Sequence, residues 1–268
     1  MRGAQPVTLG AVLVTTAVAP LLGAPALASE QVSQLVLGEG AHVLELRDAY
    51  LRVRASVDDY EGWVHRGYVR TVDDNFVEQW LVGAGWSEGA LIEGSVGTVQ
   101  RAPHRSRVML EGPDRVRLPD GSSGTILNGR IRPFADILLH ARAVTPADWA
   151  WREFAGTPYL WGGVTASGID CSGLVQTTFL MRGAPLPRDA RQQVAHGDPV
   201  DVDALQAGDL LFFRGADTEA ITHVAISAGN GTIVHSTVET GRVTREPWTP
   251  GSRAAGLRER FVAARRVG

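Results

Sequence analysis

One cysteine and two histidines set in apolar stretches are the residues of this 268-residue chain best suited to covalent chemistry. Cys171 stands in Asp170-Cys171-Ser172-Gly173-Leu174-Val175, after Gly162-Gly163 and Gly168. The run from Cys171 to Met181 has helical propensity, with a face at Leu174, Val175, Thr178 and Met181. Cys171 therefore falls in the first turn of a helix. Unpaired N–H groups and the helix dipole favour an anion there, which is what a nucleophilic thiolate requires. Structural cysteines sit more often in the middle of an element. With 1 Cys in the chain, no internal disulfide can form, and the thiol is either inert packing or the reactive group.

A thiol nucleophile needs a proton partner. Of the 7 His, His42, His65, His104 and His140 fall in or beside a Gly-punctuated β region, and His196 precedes Gly197 at a helix end. His223 and His235 differ. They lie in Thr222-His223-Val224-Ala225-Ile226 and Thr232-Ile233-Val234-His235-Ser236, two strand-like runs flanking Ala228-Gly229-Asn230-Gly231. An odd loop such as 228–230 pairs the two histidines directly, with both rings on one face. A two-residue loop separates them onto opposite faces. The odd loop is expected, with Asn230 or a neighbouring Gly at positive φ. Cys171 would then attack a carbonyl, His223 would carry the proton, and His235 would orient His223. The backbone N–H of Cys171 would assist the oxyanion. No metal or other cofactor is expected, because the pattern lacks a Cys pair and a His-Glu-x-x-His helix.

The elements that position these residues come in two kinds. From Glu30 to Arg132 the pattern is of short strands, as in Ala49-Tyr50-Leu51-Arg52-Val53-Arg54, with Asp120-Gly121-Ser122-Ser123-Gly124 as a turn. Small barrels fit that spacing, meeting near Glu93 to Val99. At Thr145-Pro146-Ala147-Asp148 a helix begins, with an N-cap, a Pro at the first position and an acid at the third. Strands are then expected at 208–214, 221–227, 232–237 and 260–266. Helices before one sheet make the C-terminal part α+β.

Arg2, the apolar run Val7 to Leu22 and Ala26-Leu27-Ala28 read as a secretory signal ending at residue 28. The expected organisation is a signal peptide over 1–28, barrels over 29–94 and 95–141, and an α+β domain over 142–268. A formal net charge of -3 gives no footprint for nucleic acid. No membrane span is expected in the mature chain.

Phe154-Ala155-Gly156-Thr157-Pro158-Tyr159-Leu160-Trp161-Gly162-Gly163, then Gly168-Ile169-Asp170-Cys171-Ser172-Gly173-Leu174-Val175, resemble the NlpC-type family of papain-like cell-wall cysteine peptidases. Leu205 to Phe213, Thr222 to Ile226 and Ile233 to Ser236 continue in the same order. The N-terminal part is similar to bacterial SH3-type barrels. The resemblance implies a papain-like catalytic domain with a Cys171, His223, His235 triad and with the Tyr159 hydroxyl near the oxyanion. It further implies substrate contacts at Asp170, Ser172, Trp161 and Asp189, and at Glu61 of a barrel that grips a free amine. Ala190 stands where the family often has Ser. The implied activity is hydrolysis of the γ-D-glutamyl to diamino-acid bond in peptidoglycan stem peptides or murein fragments by an exported enzyme, with a free N-terminal L-Ala preferred. The alternatives are an amidase or acyltransferase using the same triad, or an inactive wall-binding protein.

Overall fold

The computed structural model describes residues 9–268. The chain divides into an N-terminal unit ending at Ile137 and a C-terminal unit from Leu138 to Gly268.

The N-terminal unit carries two seven-stranded antiparallel sheets. In the first, strands Ala11–Val14 and Val18–Leu22 join Gln31–Val36, Gly40–Arg47, Tyr50–Ala55, Glu61–His65 and Val69–Val72. Val12, Val14, Leu21, Leu35, Val53 and Val64 close its core. The expected leader is corrected here. Its apolar run contains two strands, Ala11–Val14 pairing with Gly40–Arg47 and Val69–Val72, and Val18–Leu22 with Gln31–Val36 and Glu61–His65. A strand buried on both faces reads as a continuous apolar run, as a leader does. Arg2 and Val7 lie outside the described residues.

The expected seam between the barrels, at 94/95, is also corrected. Helix Asp74–Gly83 separates the sheets, and Gly85–Ser87 and Ala90–Gly94 belong to the second. Asp73 starts this helix, its side chain accepting from Phe76 N at 2.7 Å. Trp80 Nε1 then donates to Gly38 O at 3.1 Å. A buried ion pair, Arg105 Nε to Glu39 Oε1 at 2.6 Å, ties the second sheet to the first. The expected end at 141 falls inside helix Phe134–Arg142.

The C-terminal unit is α+β. Helix Pro146–Phe154 begins as its sequence dictates, with Thr145 Oγ1 accepting from Asp148 N at 3.1 Å. A six-stranded sheet follows, in the order Asp198–Val200, Phe261–Arg266, Leu210–Arg214, Ile221–Gly229, Thr232–Thr237, Arg242–Pro247. Helix Cys171–Met181 packs on strands Ile221–Gly229 and Thr232–Thr237. Every residue of it is buried, Gln176, Thr177 and Thr178 included, so it has no solvent face. Two of these polar side chains bond inward: Gln176 Nε2 donates to Leu186 O and Thr177 Oγ1 to Val164 O.

Candidate active site

The nucleophile helix is held at its first turn by a buried carboxylate. Asp170, the N-cap, accepts from Gly173 N at 2.7 Å through Oδ1 and from Gly162 N at 2.8 Å through Oδ2. Arg188 closes a fork on the same carboxylate, at 3.1 Å to Oδ1 and 2.6 Å to Oδ2, and donates to Ser172 Oγ at 2.8 Å. Asp170 and Arg188 are 4% and 2% exposed. The glycines let the chain close down on this turn, since a Cβ on Gly173 would lie 2.1 Å from Gly163 O. Asp170 and Ser172, expected to hold substrate, are therefore occupied inside the protein. Their polar atoms fix the helix start, because a buried charge must be paired.

Cys171 sits immediately inside that cap, 7% exposed. Its Sγ lies 4.0 Å from Thr222 O and accepts from the Val224 N–H, so the sulfur rests against the strand on both sides of His223. His223 Nε2 meets His235 Nδ1 at 2.9 Å. The two rings cross at 67° with centroids 5.1 Å apart, and Phe213 packs beside the His223 ring at 5.8 Å. The histidines do share a face, but by a different route from the expected loop. Ser227 pairs with Ile233 and Gly229 with Thr232, leaving Asn230-Gly231 as a two-residue turn with φ of 51° and 68°. The one-residue slip at Ala228 is a bulge, and it restores the parity that a two-residue turn alone would have lost. His235 lies opposite position 225 rather than 223, so the rings meet diagonally.

Tyr159, Cys171, His223 and His235 line one cleft of about 210 Å³, together with Glu239 and Arg260. Ser236 Oγ, on the same hairpin, donates to Ile169 O at 2.7 Å and ties the hairpin to the segment before the nucleophile helix. Burial pushes the Cys171 thiol up to about 12, with the Asp170 charge adding to it. Burial likewise pushes His223 down to about 3 and His235 down to about 4. Burial thus favours the neutral form of both the thiol and the imidazole, against the helix-terminus effect that favours the thiolate. Burial also raises Tyr159, which keeps its phenolic proton to donate.

Trp161 and Asp189 are not among the residues that line this cleft. Trp161 is 58% exposed. Asp189 caps helix Ala190–Gln193 and pairs with Arg191 at 3.0 Å. Glu61 lies in the first sheet of the N-terminal unit, where Arg54 and Arg52 each approach it at 2.8 Å and hold its carboxyl below the usual range. Sequence reasoning missed Arg188, for which an Arg-Asp dipeptide after Pro gives no burial signal. It also missed Glu246, whose Oε1 lies 2.8 Å from His235 Nε2. Glu246 sits on Arg242–Pro247, a strand too rich in charge to be recognised by alternation.

Neutral buried histidines make stability depend on pH. The unfolded chain takes up protons near the ordinary value of 6.5, well above the folded values of about 3 and 4. Their contribution is full above about pH 6.5 and is lost progressively as pH falls toward 3. Urea midpoints measured from pH 7 to 4 are expected to fall with acidity. The fall should be shallower in a His223→Asn, His235→Asn double variant, and equal slopes would count against neutral burial.

Residues 156–265 match the family model described as NlpC/P60 family, and residues 21–67 that of the bacterial dipeptidyl-peptidase Sh3 domain. The gamma-D-glutamyl-L-lysine dipeptidyl-peptidase of Bacillus cereus is 34% identical over 133 residues, 48% of this chain and 37% of that protein. Its Bacillus subtilis namesake is 45% identical over 84 residues, 31% of this chain and 28% of that protein. The chain thus matches only 28% and 37% of the length of these two relatives. Dipeptidyl-peptidase 6 of Lysinibacillus sphaericus is 29% identical over 247 residues, 84% of this chain and 87% of that protein. A crystal structure of an NlpC/P60 family protein from Bacillus cereus superposes with a TM-score of 0.80 at 22% identity, covering 96% of this chain and 99% of that one, a likeness of fold.

Proposed function

Taking as premise that this chain carries an NlpC/P60 domain together with a bacterial SH3-type domain, we propose that it is a cysteine peptidase, a hydrolase of peptidoglycan peptides. Its proposed bond is the γ-D-glutamyl to diamino-acid amide of stem peptides, and it prefers short stems with a free N-terminal L-Ala. The observation that carries this reading is the sulfur of Cys171 resting against the strand of His223 while His235 grips the far nitrogen of that ring. Relatives named gamma-D-glutamyl-L-lysine dipeptidyl-peptidase and dipeptidyl-peptidase 6 support the bond and the dipeptide-sized product.

The geometry gives each residue a step. Cys171 Sγ attacks the γ-carbonyl as its proton passes to His223. The oxyanion is met by the Cys171 N–H at the helix start and by the Tyr159 hydroxyl. His223 then protonates the leaving amine, giving a thioester that water hydrolyses with His223 as base. Glu61, kept ionised by Arg54 and Arg52, is the proposed partner of the free amine. The place of action is the wall or fragments released from it. Among the described residues no helix is long and apolar enough to cross a membrane.

A mass-spectrometric digest of purified stem tripeptide and tetrapeptide tests the reading. L-Ala-γ-D-Glu should appear with either substrate. Blocking the N-terminal amine should raise KM for the wild type, and Glu61→Gln should erase most of that difference. Absence of the dipeptide product from wild type would sink the proposed bond.

A further inference from the structure

The far nitrogen of His235 faces a carboxylate outside the Cys-His-His set. Glu246 lies on the edge strand Arg242–Pro247, where Thr244 pairs with His235 and Glu246 with Ile233. Glu246 is two positions beyond Thr244, so it projects from the same face as His235. Its Oε1 stands 2.8 Å from His235 Nε2, with the Glu246 side chain 12% exposed. The Arg253 guanidinium donates to the same Oε1.

We propose that Glu246 is a positioning residue that fixes the direction of the protons through both imidazoles, so that His223 offers a bare Nδ1 to Cys171. This rests on Cys171 and His223 acting as nucleophile and base. A guanidinium can only donate, so Oε1 acts as an acceptor toward Arg253. His235 Nε2 must then carry hydrogen, since two lone pairs would otherwise face each other at 2.8 Å. In a neutral ring that leaves Nδ1 of His235 as an acceptor. His223 Nε2, 2.9 Å away, must donate to it. The only nitrogen of His223 left to take a proton is Nδ1. When the thiol gives up its proton, it goes from Sγ to His223 Nδ1, and no proton moves onward to His235 or Glu246. The imidazolium so formed is stabilised through His235 by the Glu246 charge.

Other charges also face these rings. Arg253 and Glu239 act on His235, Arg260 acts on His223, and Asp170 and Arg188 act on the sulfur. Among them Glu246 is the carboxylate within hydrogen-bond reach of a ring nitrogen.

The test reads tautomers directly. Long-range ¹H–¹⁵N spectra of the full chain with ¹⁵N-labelled histidine at pH 7 should show both His223 and His235 protonated at Nε2. In Glu246→Leu, His223 should shift to a mixture with the Nδ1–H form. Alkylation of Cys171 by iodoacetamide should slow about 10- to 100-fold, and kcat should fall alike with KM within about twofold. Glu246→Gln, whose amide oxygen Arg253 can still hold, should keep the tautomer and recover most of the rate. An Nδ1–H tautomer of His223 in wild type, or unchanged tautomers in Glu246→Leu, would overturn the proposal. The wild-type spectrum decides the proton direction even if Glu246→Leu does not fold. Correct tautomers with no cleavage of stem peptide would support this role while removing the proposed substrate.

Discussion

Cys171→Ala is expected to lower kcat/KM on a stem peptide by roughly 10⁴-fold or more while leaving the fold intact. The magnitude follows from what the sulfur does. It forms the bond that divides one difficult hydrolysis into two easier steps, and no other cysteine exists to replace it. Burial pushes the thiol up to about 12 and so favours its protonated form. Attack therefore depends on a proton transfer to His223 that alanine cannot make. The change removes one sulfur from the wall of a cleft and leaves the N-cap of Asp170 in place, so circular dichroism and the urea midpoint should barely move. Product formation, followed by mass spectrometry, should drop to background. Residual cleavage within about tenfold of wild type would exclude Cys171 as nucleophile.

The second large effect is on stability. Arg188→Met should lower the melting temperature of the C-terminal unit by roughly 10 °C or more. Asp170 is almost wholly buried, and the Arg188 fork is its compensating charge. Removing one partner of such a pair costs about 3–5 kcal/mol, because the other is left charged and dry. The damage should reach catalysis, since the same carboxylate caps the helix that presents Cys171. A double variant, Asp170→Asn with Arg188→Met, should recover part of the loss, because no unpaired charge then remains. Calorimetry on wild type, Arg188→Met, Asp170→Asn and the double variant decides it, and additive losses would mean that the pair does not act as a unit.

What could be read from the chain tracks what local physics determines. The start of helix Pro146–Phe154 was written in Thr145, Pro146 and Asp148, because a cap is a contact across three residues. Cys171 at a helix start was equally local. That the two histidines share a face was legible, but the means was not. A bulge at Ala228 depends on pairing energies along the whole ladder, which loop length does not encode. Glu246 was invisible because Arg242-Val243-Thr244-Arg245-Glu246-Pro247 is an edge strand, whose outer positions carry charge and a Pro that central strands exclude. Asp170 shows a limit of a different kind. Its type and position suit an amine ligand equally well, and only the three-dimensional approach of Arg188, 18 residues later, decides what it binds.

The first barrel carries a practical lesson for anyone producing this protein. Trimming the gene to begin at codon 29, as one does to delete an assumed leader, would strip two central staves from a seven-stave cask. Gly40–Arg47, Val69–Val72, Gln31–Val36 and Glu61–His65 would each lose a neighbour. Their bared amides and apolar faces would seek partners in other molecules, and such a preparation would collect in inclusion bodies whatever the health of its catalytic half.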